Sequence, residues 1–484
     1  MSMDTPAWVR DAVFYQIFPD RFARSDQVAK PAHLQPWGAE PTFHGFQGGD
    51  LLGIAEKMSY LTDLGINALF LNPIFASASN HRYHTHDYFT VDPILGGNAA
   101  FHKFLKAAHD HNIRVIIDGV FNHASRGFFQ FNHLLEAGQE SPYRDWFHVW
   151  DWPVNAYQED HPANFAAWWG MHALPKFNTE NDAVREFLWS VGTYWLEQGI
   201  DGWRLDVPNE INDDVFWQEF RRRCRAINPD CYIVGEFWGE AHRWLQGDQF
   251  DAQMNYMMSR ALLGFVGGER INQGEISRCG LQYIPALDGP ALRRELNRIN
   301  NELYDYETTL AQLTMLGSHD TPRALTMLCH DRQALKLALF MQMMMPGAPN
   351  IYYGDEIGLS GGHDPHSRGA FPWGNEVAWD KAMRADVKQY IQLRHELPAL
   401  RRGAFRVARA DKQHIIFNRE YEGQIVVVAV NAGWEPVNVM PWSDRRRRNL
   451  KELLAPAGSN LLPGQTVTLT ARSARLWTNS GWSF

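Results

Sequence analysis

Between residues 13 and 356 the chain repeats one alternation. Apolar residues three and four apart are followed by a glycine or asparagine, then by a short run of consecutive apolar residues. Ile54, Met58 and Leu61 have helical spacing, Gly65 stops them, and NALFLN (67–72) follows. Phe101, Phe104, Leu105 and Ala108 precede RVIID (114–118). Asn181 is placed to cap a helix carrying Val184, Phe187, Leu188, Val191 and Trp195; Gly199 closes it, and IDGWRLDV (200–207) reads as a strand. Phe216, Phe220, Cys224 and Ile227 lead into CYIVGE (231–236). Further strands are predicted at VFYQIF (13–18), FDAQMNY (250–256), LTMLGSHD (313–320) and NIYYGDE (350–356).

Helices alternating with doubly buried runs predict a parallel sheet covered by helices. Eight such runs predict the α/β class and a closed (β/α)8 TIM barrel. A doubly wound sheet shares the alternation, but no phosphate-binding glycine loop follows the first strand. Two segments break the rhythm. Residues 123–172 are rich in Trp, Phe, His and Pro without a clean period, which predicts an insertion after the third strand. From about residue 400, HIIFNRE, GQIVVVAVNAG and QTVTLTARSARLW follow one another with no long helix between them, which predicts a separate all-β sandwich domain. The expected division is 1–122 and 173–400 for the two parts of the barrel, 123–172 for the insertion and 401–484 for the terminal β domain.

Composition narrows the function. A net charge of −9 argues against a nucleic-acid partner, and the run RRRR at 445–448 reads as a solvated loop because no aromatic residue interleaves with it. No apolar run is long enough to cross a bilayer, and MSMDTPAWVRD lacks the apolar core of a signal peptide. Cys224, Cys231, Cys279 and Cys329 form no CxxC pair and read as free thiols of a reducing compartment. Together these predict a cytoplasmic protein without a membrane partner.

In a barrel, chemistry gathers where the strands end. DGWRLDVPNE (201–210) puts Gly202, Arg204 and Asp206 on one face of a strand, with Trp203 and Leu205 on the other. An arginine and an aspartate sharing a buried face are either a structural ion pair or part of a site. Other strand ends bring Asp118 with Asn122 and His123, then Glu236, then His319 with Asp320. One aspartate after a strand is often a cap; successive strands ending in carboxylates, with Arg and His beside them, point to glycoside hydrolysis. Arg204 favours the ionised form of Asp206, as a nucleophile requires, and the apolar approach Val234–Gly235 favours a protonated acid at Glu236.

DGVFNH (118–123), GWRLDVPNE (202–210), VGEFW (234–238) and SHDTPR (318–323) occur in the order found in the alpha-amylase family of glycoside hydrolases, and residues 8–400 resemble that family. ALPKFN (173–178), VPNE and GGHDPHSRGAFPW (361–373) resemble its neopullulanase, cyclomaltodextrinase and maltogenic amylase branch. The resemblance implies Asp206 as nucleophile, Glu236 as acid/base, and Asp320 as a binder of sugar hydroxyls that helps distort the ring. It places Arg204, His123 and His319 around the sugar at the cleaved bond, with Tyr83 stacked under it. Asp364 and Arg368 would hold the next glucose units, and Asp118 and Asn122 would support the site. Glu210, Trp238 and the insertion, which matches the family's domain B, would shape the acceptor side. Trp238 is equally well explained as cleft-wall packing. The implied activity is retaining hydrolysis of α-1,4 bonds in maltooligosaccharides, cyclodextrins or pullulan, with α-1,6 cleavage or transfer in reach and no organic cofactor.

Two departures stand out. Relatives in this branch carry an N-terminal β domain of about a hundred residues, whereas the barrel pattern here starts at residue 13; oligomeric state and preference for cyclic substrates stay open. Relatives also hold calcium near the first barrel loop. Asp26, Gly48 and Asp50 are kept, but Arg24, Ala29 and Lys30 stand where oxygen ligands belong, which predicts no calcium. Three rivals remain: a metal-dependent hydrolase using His81, His84, His86 and Asp87 of HRYHTHD, with His123 nearby; a non-catalytic sugar-binding barrel; and a debranching or glycosyl-transferring member of the same family.

Overall fold

The computed structural model describes residues 5–442, 449–454 and 460–479; RRRR and the first residues of the N-terminal stretch lie outside the described residues. Eight strands form a closed barrel in chain order: β1 (Phe14–Ile17), β2 (Ala68–Leu71), β3 (Arg114–Gly119), β4 (Gly202–Leu205), β5 (Tyr232–Gly235), β6 (Ala252–Asn255), β7 (Leu313–Thr314) and β8 (Ala348–Tyr352). The pairings given between neighbours are parallel, and their register sets which strand ends meet. Asp118 lies beside Arg204, and Arg204 beside Val234. Gly202 is required where β4 runs against β5, because a Cβ there would lie 2.2 Å from the Tyr232 carbonyl oxygen.

The chain divides into two compact units. The first is built mainly from Phe14–Gln253 with Arg368–Glu376. Its helices follow the predicted rules. Asn181 Oδ1 accepts from the Ala183 and Val184 amides and starts the helix Asp182–Glu197, which buries Val184, Leu188, Val191 and Trp195. Trp203 points out of β4 into that layer, its Nε1 donating to the Gly192 carbonyl, so its neighbour Arg204 points inward. The helix expected over 54–64 is two short ones, Leu51–Ala55 and Met58–Leu64, because Lys57 leaves helical geometry at φ −104 and ψ 11. Residues 123–172 hold the helix Phe129–Ala137, short 3-10 turns and the bridge Val149 to Phe165, and the bridge Phe147 to Phe177 ties them to the chain that follows. Buried Phe128, Phe131, Phe147, Phe165 and Phe177 bind the segment together.

The second unit holds Met254–Ser367, Ala7–Val13 and the described residues from Val377 onward. The strand read over 313–320 stops at Thr314. Side chains then take the backbone's partners: Gln342 Nε2 donates to the Thr314 carbonyl, Ser259 Oγ to the Met315 carbonyl, and the Ser318 amide donates to Thr321 Oγ1. The strand read from 350 begins at Ala348. The terminal sheet contains β9 (Ala404–Asp411), β10 (His414–Tyr421) and β11 (Gln424–Asn431), and ends with Ser473–Thr478 against β11. β9 escaped the sequence pattern because only Phe405 and Val407 are buried apolar residues on an otherwise exposed, bulged edge. Ile416, Val427, Trp442, Leu469 and Trp477 form the core of this β region.

Candidate active site

Asp206 and Glu236 each lie one residue beyond their strand yet stay hydrogen-bonded to the neighbouring one. The Asp206 amide donates to the Gly119 carbonyl and the Glu236 amide to the Leu205 carbonyl, both at 3.0 Å. Arg204 joins them. Its Nη1 is 3.0 Å from Asp206 Oδ1 and 2.7 Å from Asp118 Oδ1, and its Nη2 is 2.9 Å from Glu236 Oε2. One guanidinium therefore gathers the carboxylates of three adjacent strands. Arg204 and Asp118 are fully buried, whereas the Asp206 side chain keeps 11% exposure. Burial works against charge on Arg204, but Asp118 and Glu236, then Asp206, hold its pKa well above the ordinary value. Burial raises the Asp118 pKa to about 6, with Arg204 pulling the other way.

Glu236 is not in the apolar approach expected for it. Besides Arg204 it accepts from the Val207 amide and from Trp238 Nε1, both at 3.1 Å. The Trp238 indole thus holds one carboxylate oxygen. Val207 has φ 34 and ψ 52, a left-handed geometry that costs a β-branched residue about 1–3 kcal/mol. That strain turns its N–H toward Glu236 and starts the turn Pro208–Glu210. Glu210 pairs with Lys176 at 2.9 Å.

Tyr83 donates to Asp118 Oδ2 at 2.8 Å, and behind it runs a polar chain: Asn72 Nδ2 to Tyr83 Oη at 3.2 Å and Gln16 Nε2 to Asn72 Oδ1 at 3.1 Å. Asn122 Nδ2 lies 3.1 Å from His123 Nδ1. The buried imidazole also makes a hydrogen bond to the Tyr83 backbone. Burial, with His84 adding to it, pushes the His123 pKa down to about 3, so the ring is a neutral donor. Sequence reasoning missed Gln16, Asn72, Lys176 and the amide of Val207. The first two had a visible signal, a polar residue inside an apolar strand run, and Lys176 sat unassigned in ALPKFN.

Arg368, in the same unit, is buried with its guanidinium over the Phe18 ring at 5.4 Å, and its carbonyl accepts from Arg21 Nη1. In the second unit His319 is buried, its Nε2 is 3.2 Å from Asp320 Oδ2, and the Asp320 amide donates to Ser318 Oγ. Asp364 lies in a segment fixed at Gly361 by the Arg323 amide and Thr326 Oγ1, at His363 by Glu275 Oε2, and at Ser367 by the His319 carbonyl.

The His81–Asp87 segment is not drawn together as a metal cage. Asp87 is exposed and spends its oxygens on the Phe89 amide and Thr90 Oγ1, while His81 and His84 meet edge to face at 5.0 Å. Among the described residues no group of three His, Cys, Asp or Glu side chains has metal-binding geometry. The first barrel loop does not offer calcium an oxygen cage either. Lys30 Nζ lies 2.8 Å from Asp50 Oδ2, Asp50 also accepts from the Ser25 and Gly53 amides, and Asp26 is exposed.

Residues 16–403 match the model described as alpha amylase, catalytic domain. The chain belongs to the alpha-amylase family. Within that family it is 40% identical to a cyclomaltodextrinase of Geobacillus thermopakistaniensis over 455 residues, 93% of this chain and 73% of the relative. A solved protein of Thermus thermophilus superposes with a TM-score of 0.92 at 45% identity, covering 98% of this chain and 100% of that one. A debranching enzyme of Nostoc punctiforme superposes at 0.88 with 44% identity, covering 99% and 100%. This member of the alpha-amylase family is thus a glycoside hydrolase.

Proposed function

We propose that this chain is a retaining hydrolase of α-1,4-glucosidic bonds in maltooligosaccharides and cyclodextrins. The observation that carries the reading is the single guanidinium of Arg204 holding Asp206 and Glu236 at neighbouring strand ends. Two carboxyl groups at the ends of neighbouring strands, sharing one guanidinium, fit the pair that double displacement needs. Glu236 delivers a proton to the bridging oxygen while Asp206 Oδ attacks the anomeric carbon, which breaks the bond to the leaving sugar and leaves a glycosyl ester on Asp206. Glu236 then takes a proton from water, whose oxygen attacks the anomeric carbon and breaks its bond to Asp206, freeing the sugar and restoring both carboxyl groups. The family resemblance supports His123 as a neighbour of the sugar at the cleaved bond, and Tyr83 is hydrogen-bonded to Asp118 of the same cluster. The family resemblance supports Asp320, His319, Asp364 and Arg368 as hydroxyl-binding partners. Glu210, salt-bridged to Lys176, is assigned to the acceptor side.

A second reading, cleavage of α-1,6 branch points, is favoured by one observation: full-length coverage of the Nostoc debranching enzyme, against 73% of the cyclomaltodextrinase. A time course of products from cyclodextrin, pullulan, linear dextrin and branched glucan, with Asp206→Asn as control, separates the two. The proposal expects α-anomeric products and no turnover by the control. β-Anomers, or full activity in the control, overturn it.

No calcium is assigned, because the Lys30 ammonium sits on Asp50. Free thiols at Cys224, Cys231, Cys279 and Cys329 support a reducing compartment, the cytoplasm. No helix among the described residues is long and apolar enough to cross a membrane.

A further inference from the structure

Trp168 and Trp169 lie in AAWWGM (166–171), at the end of the insertion 123–172, and no role above rests on either side chain. The Met171 amide donates to the Trp168 carbonyl at 2.9 Å, closing a four-residue turn. Trp169 has φ 49 and ψ 27, and Gly170 has φ 72. Two central residues at positive φ make the type I′ arrangement, whose first central position favours Asn, Asp or Gly. Gly170 meets that demand; a bulky indole at Trp169 does not, because a Cβ crowds the backbone there.

Burial does not compensate, since Trp169 is 80% exposed. Its indole lies on that of Trp168, with centroids 4.9 Å apart and planes at 19°. Trp168 in turn lies over the His123 imidazole, 6.1 Å away and nearly parallel at 9°. Three flat rings therefore form one ladder, from the buried His123 beside the candidate site out to an indole face open to water. An asparagine at 169 would relieve the strain and remove the exposed apolar surface. Folding alone gives no reason for tryptophan there. A flat apolar face joined by stacking to the candidate site fits the C–H face of a pyranose ring.

We propose that the outer face of the Trp169 indole is an additional glucan subsite, taking a glucose unit remote from the bond that is cut. The inference rests on the α-glucan reading above and adds a preference for longer chains. Trp168 acts as its backing, holding the Trp169 ring by stacking.

The test uses the full chain. Wild type, Trp169→Asn and Trp169→Phe are compared on linear maltooligosaccharides from three to seven glucose units. The expected loss in Trp169→Asn grows with chain length, reaching about tenfold in kcat/KM for maltoheptaose, and falls on KM rather than kcat. Trp169→Phe restores most of it, and the Tm of Trp169→Asn is not below wild type. A loss equal at every length, or no loss at any length, overturns the subsite. A fall in molecular mass on size exclusion in Trp169→Asn also overturns it, because the face would then be a contact between copies of the chain. If the wild type hydrolyses none of these sugars, the α-glucan reading has failed instead. The platform is then judged by maltoheptaose titration of Asp206→Asn, followed by tryptophan fluorescence. A change that disappears in Asp206→Asn/Trp169→Asn supports it, and a change that persists, or none at all, overturns it.

Discussion

At the scale of single residues, the molecule turns on how many carboxylates one guanidinium can hold. The alternation along 202–206 was enough to put Arg204 and Asp206 on one face. It could not show that Arg204 also holds Asp118 and Glu236, since those contacts depend on the register of β4 with β3 and β5, which one strand's sequence does not carry. Lysine would keep the charge but offer a point donor in place of a fork. Arg204→Lys should therefore lower kcat by about 10²–10³. It should also lower Tm, because at least one buried carboxylate loses its partner. Activity within tenfold of wild type would show that the fork is not what aligns the pair. Asp355 gives a second test. Burial raises its pKa to about 7, with Arg323 opposing and Glu356 adding to the rise. The folded state then holds this proton more tightly than the unfolded chain, whose aspartates titrate near ~3.9. Asp355 thus contributes stability that is complete below pH ~4 and is lost as pH rises through about 7. Asp355→Asn, which cannot ionise, should lose less Tm than wild type between pH 5 and pH 8. Parallel Tm–pH curves for the two proteins would refute this.

At the scale of elements, strands and helices that bury one clear face were legible, and those whose partners are side chains were not. The helix Asp182–Glu197 was readable from its cap and its stripe of apolar residues. The short length of β7 was not, because LTMLGSHD is apolar enough for a longer strand. Only the fold reveals that Gln342 and Ser259 take its carbonyls. The turn after Asp206 was equally hidden, since nothing in VPNE announces a left-handed valine. In the loop over 22–30 the fold puts the Lys30 ammonium on Asp50, the N-cap of Leu51–Ala55. Burial lowers the Lys30 pKa, with Asp50 opposing. Lys30→Met should cost about 2 kcal/mol, since it leaves the buried Asp50 carboxylate with backbone amides alone. Urea denaturation measures this. Wild-type Tm should be the same in chelator and in millimolar calcium; a rise with calcium would return the ion to this loop.

At the scale of the whole molecule, the change of texture near residue 400 suggested a β domain that stands apart, yet its strands share a compact unit with residues 254–367. The joining is polar and buried. Arg419 of β10 is fully buried and donates to the Met344 and Gly403 carbonyls. Arg472 donates to the Val266 carbonyl and pairs with Asp331. The Gly289 amide donates to the Lys412 carbonyl. Buried carbonyls left without donors cost about 1–3 kcal/mol each, so removing the sheet uncovers several such groups together with the apolar surface around them. A chain ending at residue 403 should therefore be insoluble or molten rather than a smaller active enzyme. Arg419→Leu should keep the sheet but lower the Tm of the whole unit, with its calorimetric transition still single. Two separate transitions in the wild type, with hydrolysis surviving the first, would mean that the terminal sheet folds on its own. The buried arginines would then be ornaments of an interface and not part of a shared core.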